Sequence, residues 1–313
     1  MKQIGKKTIT LIITLLLISF AAFLAFQVIP GDPSLSVLGM DATEQQIAAY
    51  QKQMGLDRPM PVRYVSWVWD FVRGDLGDSY HYGTSVGGLL GDKLPVTLAL
   101  TAVSFLFILG LSIPFGILMA RFADTRFGRL VNVVNQTLMS VPSFFLGVLL
   151  ILVFGLMLKW FTPGEYISYR ESTTGFLLYL IAPAAAIAIP KTAMVIKFLR
   201  SSVLEQRKKD YVRTAYSKGN TDNRVLFIHV LKNSCIPVIT ILGMIIADTM
   251  AGSIVVEQVF NLPGVGRLLV SSIGYRDYPV VQAIIVYIAS AVVIVNFIVD
   301  MLYRLADPRI REE

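Results

Sequence analysis

The sequence has almost none of the residues from which proteins build covalent cross-links and metal sites. Its 313 residues include one cysteine, Cys235, and two histidines, His81 and His229. A single cysteine excludes an intrachain disulfide and a thiolate metal cluster. Two histidines that lie 148 positions apart are too few for a histidine-built ion site. We therefore expect no metal site and interpret Cys235 as a small packing residue.

Charged residues are also scarce, at 16% of the chain against 55% hydrophobic residues. This composition is too apolar for an ordinary soluble domain. Six runs reach the roughly 20 apolar residues that a membrane-spanning helix needs. They are 9–29, 95–120, 130–158, 176–196, 236–256 and 280–302. The sequence therefore predicts an all-α polytopic membrane protein with six transmembrane helices.

The positions of lysine and arginine predict the orientation. With both termini inside, 18 of these residues lie in the tails and in loops 121–129 and 197–232, against nine in the other loops. This is the positive-inside bias, so we expect both termini to be cytoplasmic. The net charge of +7 then needs no nucleic-acid partner. A signal peptide is the alternative for the first run, but its length and the lack of a cleavage site favour an anchor.

The segment between the first two runs is long enough for a small extracytoplasmic cap. Thr43 and Gln46 form a capping-box pattern that predicts a helix, which Gly55 ends. Residues 61–72 predict a second helix, whose aromatic side chains suit lipid headgroups or a docking protein. The expected divisions are 1–29 for the tail and first span, 30–94 for the cap, 95–303 for the core with a cytoplasmic loop at 197–235, and 304–313 for a cytoplasmic tail.

That cytoplasmic loop is basic and carries a helix–glycine pattern. Its apolar residues fall on one helical face and its basic residues on the other. Gly219 suits the left-handed backbone just beyond a helix end. Polar residues at 220–222 then predict the start of a second short helix over 223–233, before Pro237 opens span five. A lipid-binding or calmodulin-binding basic helix is the alternative interpretation.

Polar residues inside the apolar runs are candidates for a transport path. An ionised carboxylate near the bilayer centre, such as Asp248, costs on the order of 3 kcal/mol, so it faces water, a partner or a counter-ion such as Lys191. Small residues in the same run are otherwise explained by packing. Pro142 is expected to bend the third run around a cavity. The candidate path residues are Asn135, Gln136, Ser140, Pro142, Ser143, Asp248, Thr249 and Gly252.

The sequence shows no pattern of a catalytic site. It contains no paired carboxylates, nucleophile with a base, or glycine-rich phosphate loop, and the GVG at 264–266 follows a proline turn. We therefore expect neither catalysis nor an ATP site. A stand-alone carrier that uses Asp248 and Lys191 as a proton-linked pair is the alternative from another class, although the two halves show no self-similarity.

Several segments, in order along the chain, resemble one family. They are VIPGDP, LGDSYHYGTSV, VPSFFLGVLL, DYVRTAYSKG, HVLKN, IPVI, VVEQVFNLPGVGRLL, RDYPVVQ and DPRIR. Together they resemble, nearly end to end, the first membrane subunit of oligopeptide, dipeptide and nickel ABC importers, the subunit called oligopeptide permease B. The resemblance implies the transmembrane fold of a type I ABC importer.

The resemblance also implies a role for DYVRTAYSKG. In that family the segment is the EAA loop, whose coupling helix sits in a groove of a cytoplasmic ATPase subunit. Tyr216 and Ser217 depart from the more usual Arg and Ala, and the preceding turn is unusually basic, which predicts a more acidic groove in the partner. The residues implied for this loop are Asp210, Tyr211, Arg213, Thr214, Ala215, Lys218 and Gly219.

The partners implied by the resemblance are a homologous second permease, two ATPase subunits that use ATP and magnesium, and an extracytoplasmic binding protein. The location implied is the cell membrane of a bacterium or archaeon, in contact with lipid. The expected cargo is a short peptide. A nickel or metal-chelate importer is the alternative, although the membrane runs offer no His or Cys to ligate a free metal.

Overall fold

The computed structural model describes residues 2–28, 38–39, 42–53, 55 and 57–306, and these form helices joined by loops. The expected all-α fold is therefore confirmed. VIPGDP beyond Val28 and the tail from residue 307 lie outside the described residues. The helices are α1 Lys2–Val28, α2 Glu44–Gln53, α3 Met60–Val72, α4 Val86–Arg121, α5 Arg126–Ser140, α6 Ser143–Leu150, α7 Thr173–Gln206, α8 Asp210–Ser217, α9 Asp222–Val259, α10 Val265–Gly274 and α11 Tyr278–Ala306.

Within the part of the chain that the structure describes, five helices are long and apolar enough to cross a membrane, namely α1, α4, α7, α9 and α11. A sixth span results if α5 is counted together with α6 and the π-helical Ile151–Met157 that continues it, but the two halves meet at 99°. The span expected over 130–158 thus consists of two helical halves joined at a sharp bend. The bend falls at Val141, which is extended because proline disfavours helical backbone in the residue before it. The expected bend at Pro142 is confirmed.

Helix α9 corrects one expectation. A separate short helix over 223–233 was predicted, with span five opening at Pro237. The structure has one continuous element from Asp222 to Val259, which includes a π-helical stretch at Val225–Val230 and passes through Pro237. Proline interior to a membrane helix is tolerated because neighbouring groups and local changes of helical pitch compensate for the missing hydrogen bond.

One compact unit consists of Met1–Thr97 and Pro263–Ile294. In it α3 packs on α1 through Tyr64, whose hydroxyl lies 2.9 Å from the Ser19 hydroxyl and whose ring meets Phe23 edge-on. The predicted capping box of α2 is confirmed, because the Thr43 N–H donates to Gln46 and the Gln46 N–H to the Thr43 hydroxyl. The predicted second helix is α3.

The other compact unit consists of Leu98–Leu262 and Val295–Glu313. Helix α7 lies at its centre and packs against α5, α6 and α9. The buried apolar core joins α7, through residues such as Val195 and Leu199, to Ile108 of α4 and to Val238 of α9. Gly116 of α4 lies so close to α7 that an added Cβ atom would sit 2.8 Å from Cδ2 of Leu199. Small residues thus permit close helix contact in this unit.

Candidate functional site

Helix α8 is a short helix with defined ends. Lys209 is extended at its N-terminus, and Asp210 places a carboxylate in its first turn, where the helix dipole favours negative charge. Beyond its C-terminus, Gly219 has φ +78°, and its N–H donates to the Tyr216 carbonyl at 2.9 Å. The predicted glycine turn is therefore confirmed, since this left-handed conformation is readily open only to glycine.

The two faces of α8 differ. Val212 and Ala215 are 1% and 5% exposed and belong to the buried apolar core, together with Val225 and Leu226 of α9. The opposite face is exposed and charged, as it carries Asp210, Arg213, Thr214 and Lys218. One face therefore fixes α8 to the long helices, while the other is available for contact.

Polar bonds fix α8 at both ends. The Tyr211 hydroxyl donates to Gln206 at 2.9 Å, and the Tyr216 hydroxyl donates to Asp222 at 2.5 Å. The bond to Asp222 raises the pKa of Tyr216, with burial as the lesser cause. Arg207 also lies 3.3 Å from Asp222. Tyr216, a departure from the family pattern, thus anchors α8, and part of the unusually basic turn is neutralised within the chain.

Lys191 of α7 and Asp248 of α9 form an ion pair, in which the Lys191 ammonium donates to Asp248 Oδ2. Gly252, one turn from Asp248, leaves space beside this ammonium, since a Cβ atom there would lie 4.0 Å from Lys191 Nζ. The Thr249 side chain instead lies in the core, where its hydroxyl donates to the Ile245 carbonyl at 2.6 Å. Of the candidate path residues on α9, Asp248 and Gly252 therefore lie together at the ion pair, and Thr249 does not.

The candidate residues around the α5–α6 bend divide into two groups. Asn135 is buried and its side-chain amide donates to the Ala193 carbonyl of α7 at 2.9 Å, so it holds two helices together. The others remain at the surface, with Gln136, Ser140 and Pro142 exposed and Ser143 partly buried. Asn135 is thus placed apart from the accessible group.

Asp277 is a central residue that the sequence interpretation missed. It is fully buried and accepts hydrogen bonds from the Ser79 hydroxyl at 2.5 Å, the Tyr80 N–H at 3.0 Å and the His81 N–H at 3.3 Å. His81 also stacks on Tyr275, with ring centroids 3.7 Å apart. The Asp277 carboxylate therefore joins the loop before α4 to the loop before α11. Burial also raises the pKa of Tyr80, which lies at this junction, to about 12.

Replacing Asp277 with asparagine is expected to loosen this junction. An amide oxygen can replace only part of the carboxylate's accepting capacity, and a hydrogen bond to a charged group contributes about 1.5–3 kcal/mol. Hydrogen exchange of the amides at 79–82 should therefore accelerate. Asp78, which is exposed, supplies the control variant Asp78→Asn. Equal exchange rates in the two variants would contradict the role assigned to Asp277.

Comparison with known proteins identifies the family. Residues 112–312 match the family described as "Binding-protein-dependent transport system inner membrane component". The chain belongs to this family. Residues 1–101 match the corresponding N-terminal family of membrane components. The chain is therefore a multi-pass membrane component of an ABC importer, and the resemblance seen in the sequence is confirmed.

Curated relatives match along nearly their whole length. The oligopeptide transport system permease protein AppB of Bacillus subtilis is 37% identical over 308 residues, which cover 97% of this chain and 98% of that protein. A Sinorhizobium fredii protein named "Probable peptide ABC transporter permease protein y4tP" is 34% identical over 306 residues, with 98% of each chain covered. Membership of a binding-protein-dependent system argues against the stand-alone carrier.

A solved structure confirms the fold class. The methionine ABC transporter MetNI, in an inward-facing conformation, matches with a TM-score of 0.56 at 19% identity. The match covers 70% of this chain and 96% of that one. The type I ABC importer fold is therefore shared. Among the described residues, no group of three or more His, Cys, Asp or Glu side chains is placed to hold a metal ion.

Proposed function

We propose that this chain is one of two permease subunits of a peptide importer and forms half of its translocation pathway. The observation that carries the proposal is the full-length similarity to proteins named as peptide and oligopeptide permeases. A homologous second permease would form the other half of the pathway. An extracytoplasmic binding protein would deliver the peptide to the pair.

We further propose that α8 is the coupling helix to an ATPase subunit. Its exposed face supports this role, because Asp210, Arg213, Thr214 and Lys218 are available to a partner. Its other face is anchored in the core and to Asp222, so a displacement of α8 moves the long helices with it. ATP and magnesium would be bound by the two ATPase subunits, and this chain would bind no cofactor and catalyse no reaction.

The proposed orientation places both termini in the cytoplasm, with segment 30–94 outside the cell and tail 304–313 inside. The lysine and arginine distribution supports it. The core, 95–303, would sit among lipid in the cell membrane. Nucleic acid has no part in this function.

The proposed path residues are the accessible members of the candidate set, namely Gln136, Ser140, Pro142, Ser143, Asp248 and Gly252.

ATP-driven uptake tests the cargo. The chain is reconstituted in vesicles with its second permease, ATPase subunits and binding protein, and labelled short peptides are compared with a nickel chelate. We expect uptake of peptide that needs both ATP and the binding protein. Omission of either is the control. Uptake of the chelate without peptide would keep the importer but replace the proposed cargo.

A further inference from the structure

The two side chains of the ion pair between α7 and α9 differ in their exposure. The Lys191 side chain is 13% exposed, whereas the Asp248 side chain is 72% exposed. Lys191 thus extends its ammonium from among the packed helices to a carboxylate at the surface of this chain. Gly252 keeps the space beside the ammonium open. The pair therefore presents an accessible edge, unlike a buried structural salt bridge.

Asp248 lies on a single exposed stripe of α9, whose members recur every three or four residues and so share one helical face. The stripe consists of Met244, Asp248, Ala251 and Val255. A fully apolar stripe would suit lipid, but a carboxylate at this depth does not, and such groups face a bundle interior or a water-filled cavity. The position of Asp248 therefore indicates that this stripe faces the pathway.

The pair has capacity for further hydrogen bonds. A carboxylate offers about four lone-pair positions on two oxygens, and an ammonium has three donors. The Lys191 contact uses one oxygen, Oδ2, and one donor. An incoming ammonium can therefore approach the exposed carboxylate before the internal contact breaks. The Lys191 ammonium, once displaced, has open space on the side of Gly252.

We propose that Lys191 and Asp248 form an exchangeable site for the charged ends of a peptide in transit. Asp248 binds the α-ammonium of the peptide and Lys191 binds its carboxylate, one after the other as the peptide passes, because the ends of an extended tripeptide lie about 10 Å apart. The empty site neutralises its own two charges, and the occupied site is neutral as well, because a zwitterion supplies one charge of each sign. The internal Lys191–Asp248 contact competes with the contacts to the peptide, so the site passes a peptide without retaining it. This inference rests on the proposed peptide cargo.

The test uses the assembled complex and the double variant Lys191→Gln with Asp248→Asn. This variant removes both charges together, so neither is left unpaired, while the two amides can still hydrogen-bond. Uptake of free-ended trialanine is compared with uptake of trialanine that is N-acetylated and C-amidated, each at saturating binding protein. We expect a loss of about tenfold for the free-ended peptide, as for the loss of one hydrogen bond to a charged group. The blocked peptide should keep its parental rate.

Leu106→Met, an apolar change at an exposed position of α4 outside the stripe, is the control and should retain parental rates for both peptides. An equal loss for both peptides in the double variant would assign the ion pair to bundle stability and overturn the inference. Unchanged uptake of both would overturn it as well. In either case the proposed importer stands. A parent complex that carries no peptide would instead overturn the proposed function, and this inference with it.

Thiol labelling provides a second measurement, which reports on the site itself and not on uptake. Ala251→Cys, on the same stripe and one turn from Asp248, is made in a Cys235→Ser background so that the ion pair is kept, and the assembled complex is treated with a positively charged, water-soluble thiol reagent. We expect labelling that slows severalfold when free-ended peptide is present, and slows less with blocked peptide. Failure of the reagent to label position 251 would show that a partner helix or lipid covers the stripe, which would overturn the inference.

Discussion

Replacing Gly219 with proline should abolish ATP-driven uptake while the complex remains assembled. Gly219 has φ +78°, whereas the proline ring fixes φ near −65°, and proline also lacks the N–H that here donates to the Tyr216 carbonyl. The turn that joins α8 to α9 can therefore not form in its present geometry. Uptake into vesicles, ATPase activity and subunit association are measured on the same preparation. We expect uptake to fall more than tenfold.

Other substitutions at Gly219 separate backbone strain from loss of space. An added Cβ atom at Gly219 would meet no atom within 4 Å, so only the positive φ opposes a side chain there. A left-handed conformation costs an ordinary residue roughly 1–2 kcal/mol, and asparagine tolerates it better than alanine. Uptake should therefore decrease in the order glycine, asparagine, alanine, proline. If the proline variant took up peptide at the parental rate, the result would contradict a coupling role for this turn.

Local patterns in the sequence predicted the features that depend on a few neighbouring residues. The apolar runs predicted the long helices, Thr43 and Gln46 predicted the start of α2, and Gly219 predicted the end of α8. Each of these features is set by hydrophobic length, capping or backbone conformation within one or two turns. Pro142 likewise predicted the position of a bend, although not its size, because the 99° angle reflects the packing of both halves on α7.

Contacts between distant residues lay beyond the sequence patterns. Ser79 and Asp277 are 198 positions apart, and nothing in either segment indicates that one side chain completes the other. Tyr216 was seen only as a departure from the family pattern, yet its hydroxyl binds Asp222 across the turn. The pairing of Lys191 with Asp248 was one of several alternatives, since the choice depends on how α9 is rotated about its axis.

Placing a side chain at Gly243 should have the largest effect on stability. Gly243 lies in α9 where Val299 of α11 approaches it, and an added Cβ atom would overlap both methyl groups of Val299 and come within 2.7 Å of its Cβ atom. Both positions are buried. Gly243→Ala therefore forces the helices apart and should destabilise the chain by about 1–3 kcal/mol. Gly243→Val should destabilise it further, and thermal unfolding of the purified complex measures both.

The clash can be assigned to this one contact by changing its other side. Val299→Ala removes the two methyl groups that an alanine at position 243 would overlap, so it should recover part of the stability lost in Gly243→Ala, although Val299→Ala alone destabilises by opening a cavity. Gly110→Ala is the matched control, because a Cβ atom there meets nothing within 4 Å and alanine favours the helix by up to about 1 kcal/mol. Equal unfolding temperatures for Gly243→Ala and Gly110→Ala would contradict the close approach of α9 to the C-terminal part of α11. Recovery of stability when Val299→Ala is added to Gly243→Ala would instead assign the destabilisation to this contact between α9 and α11.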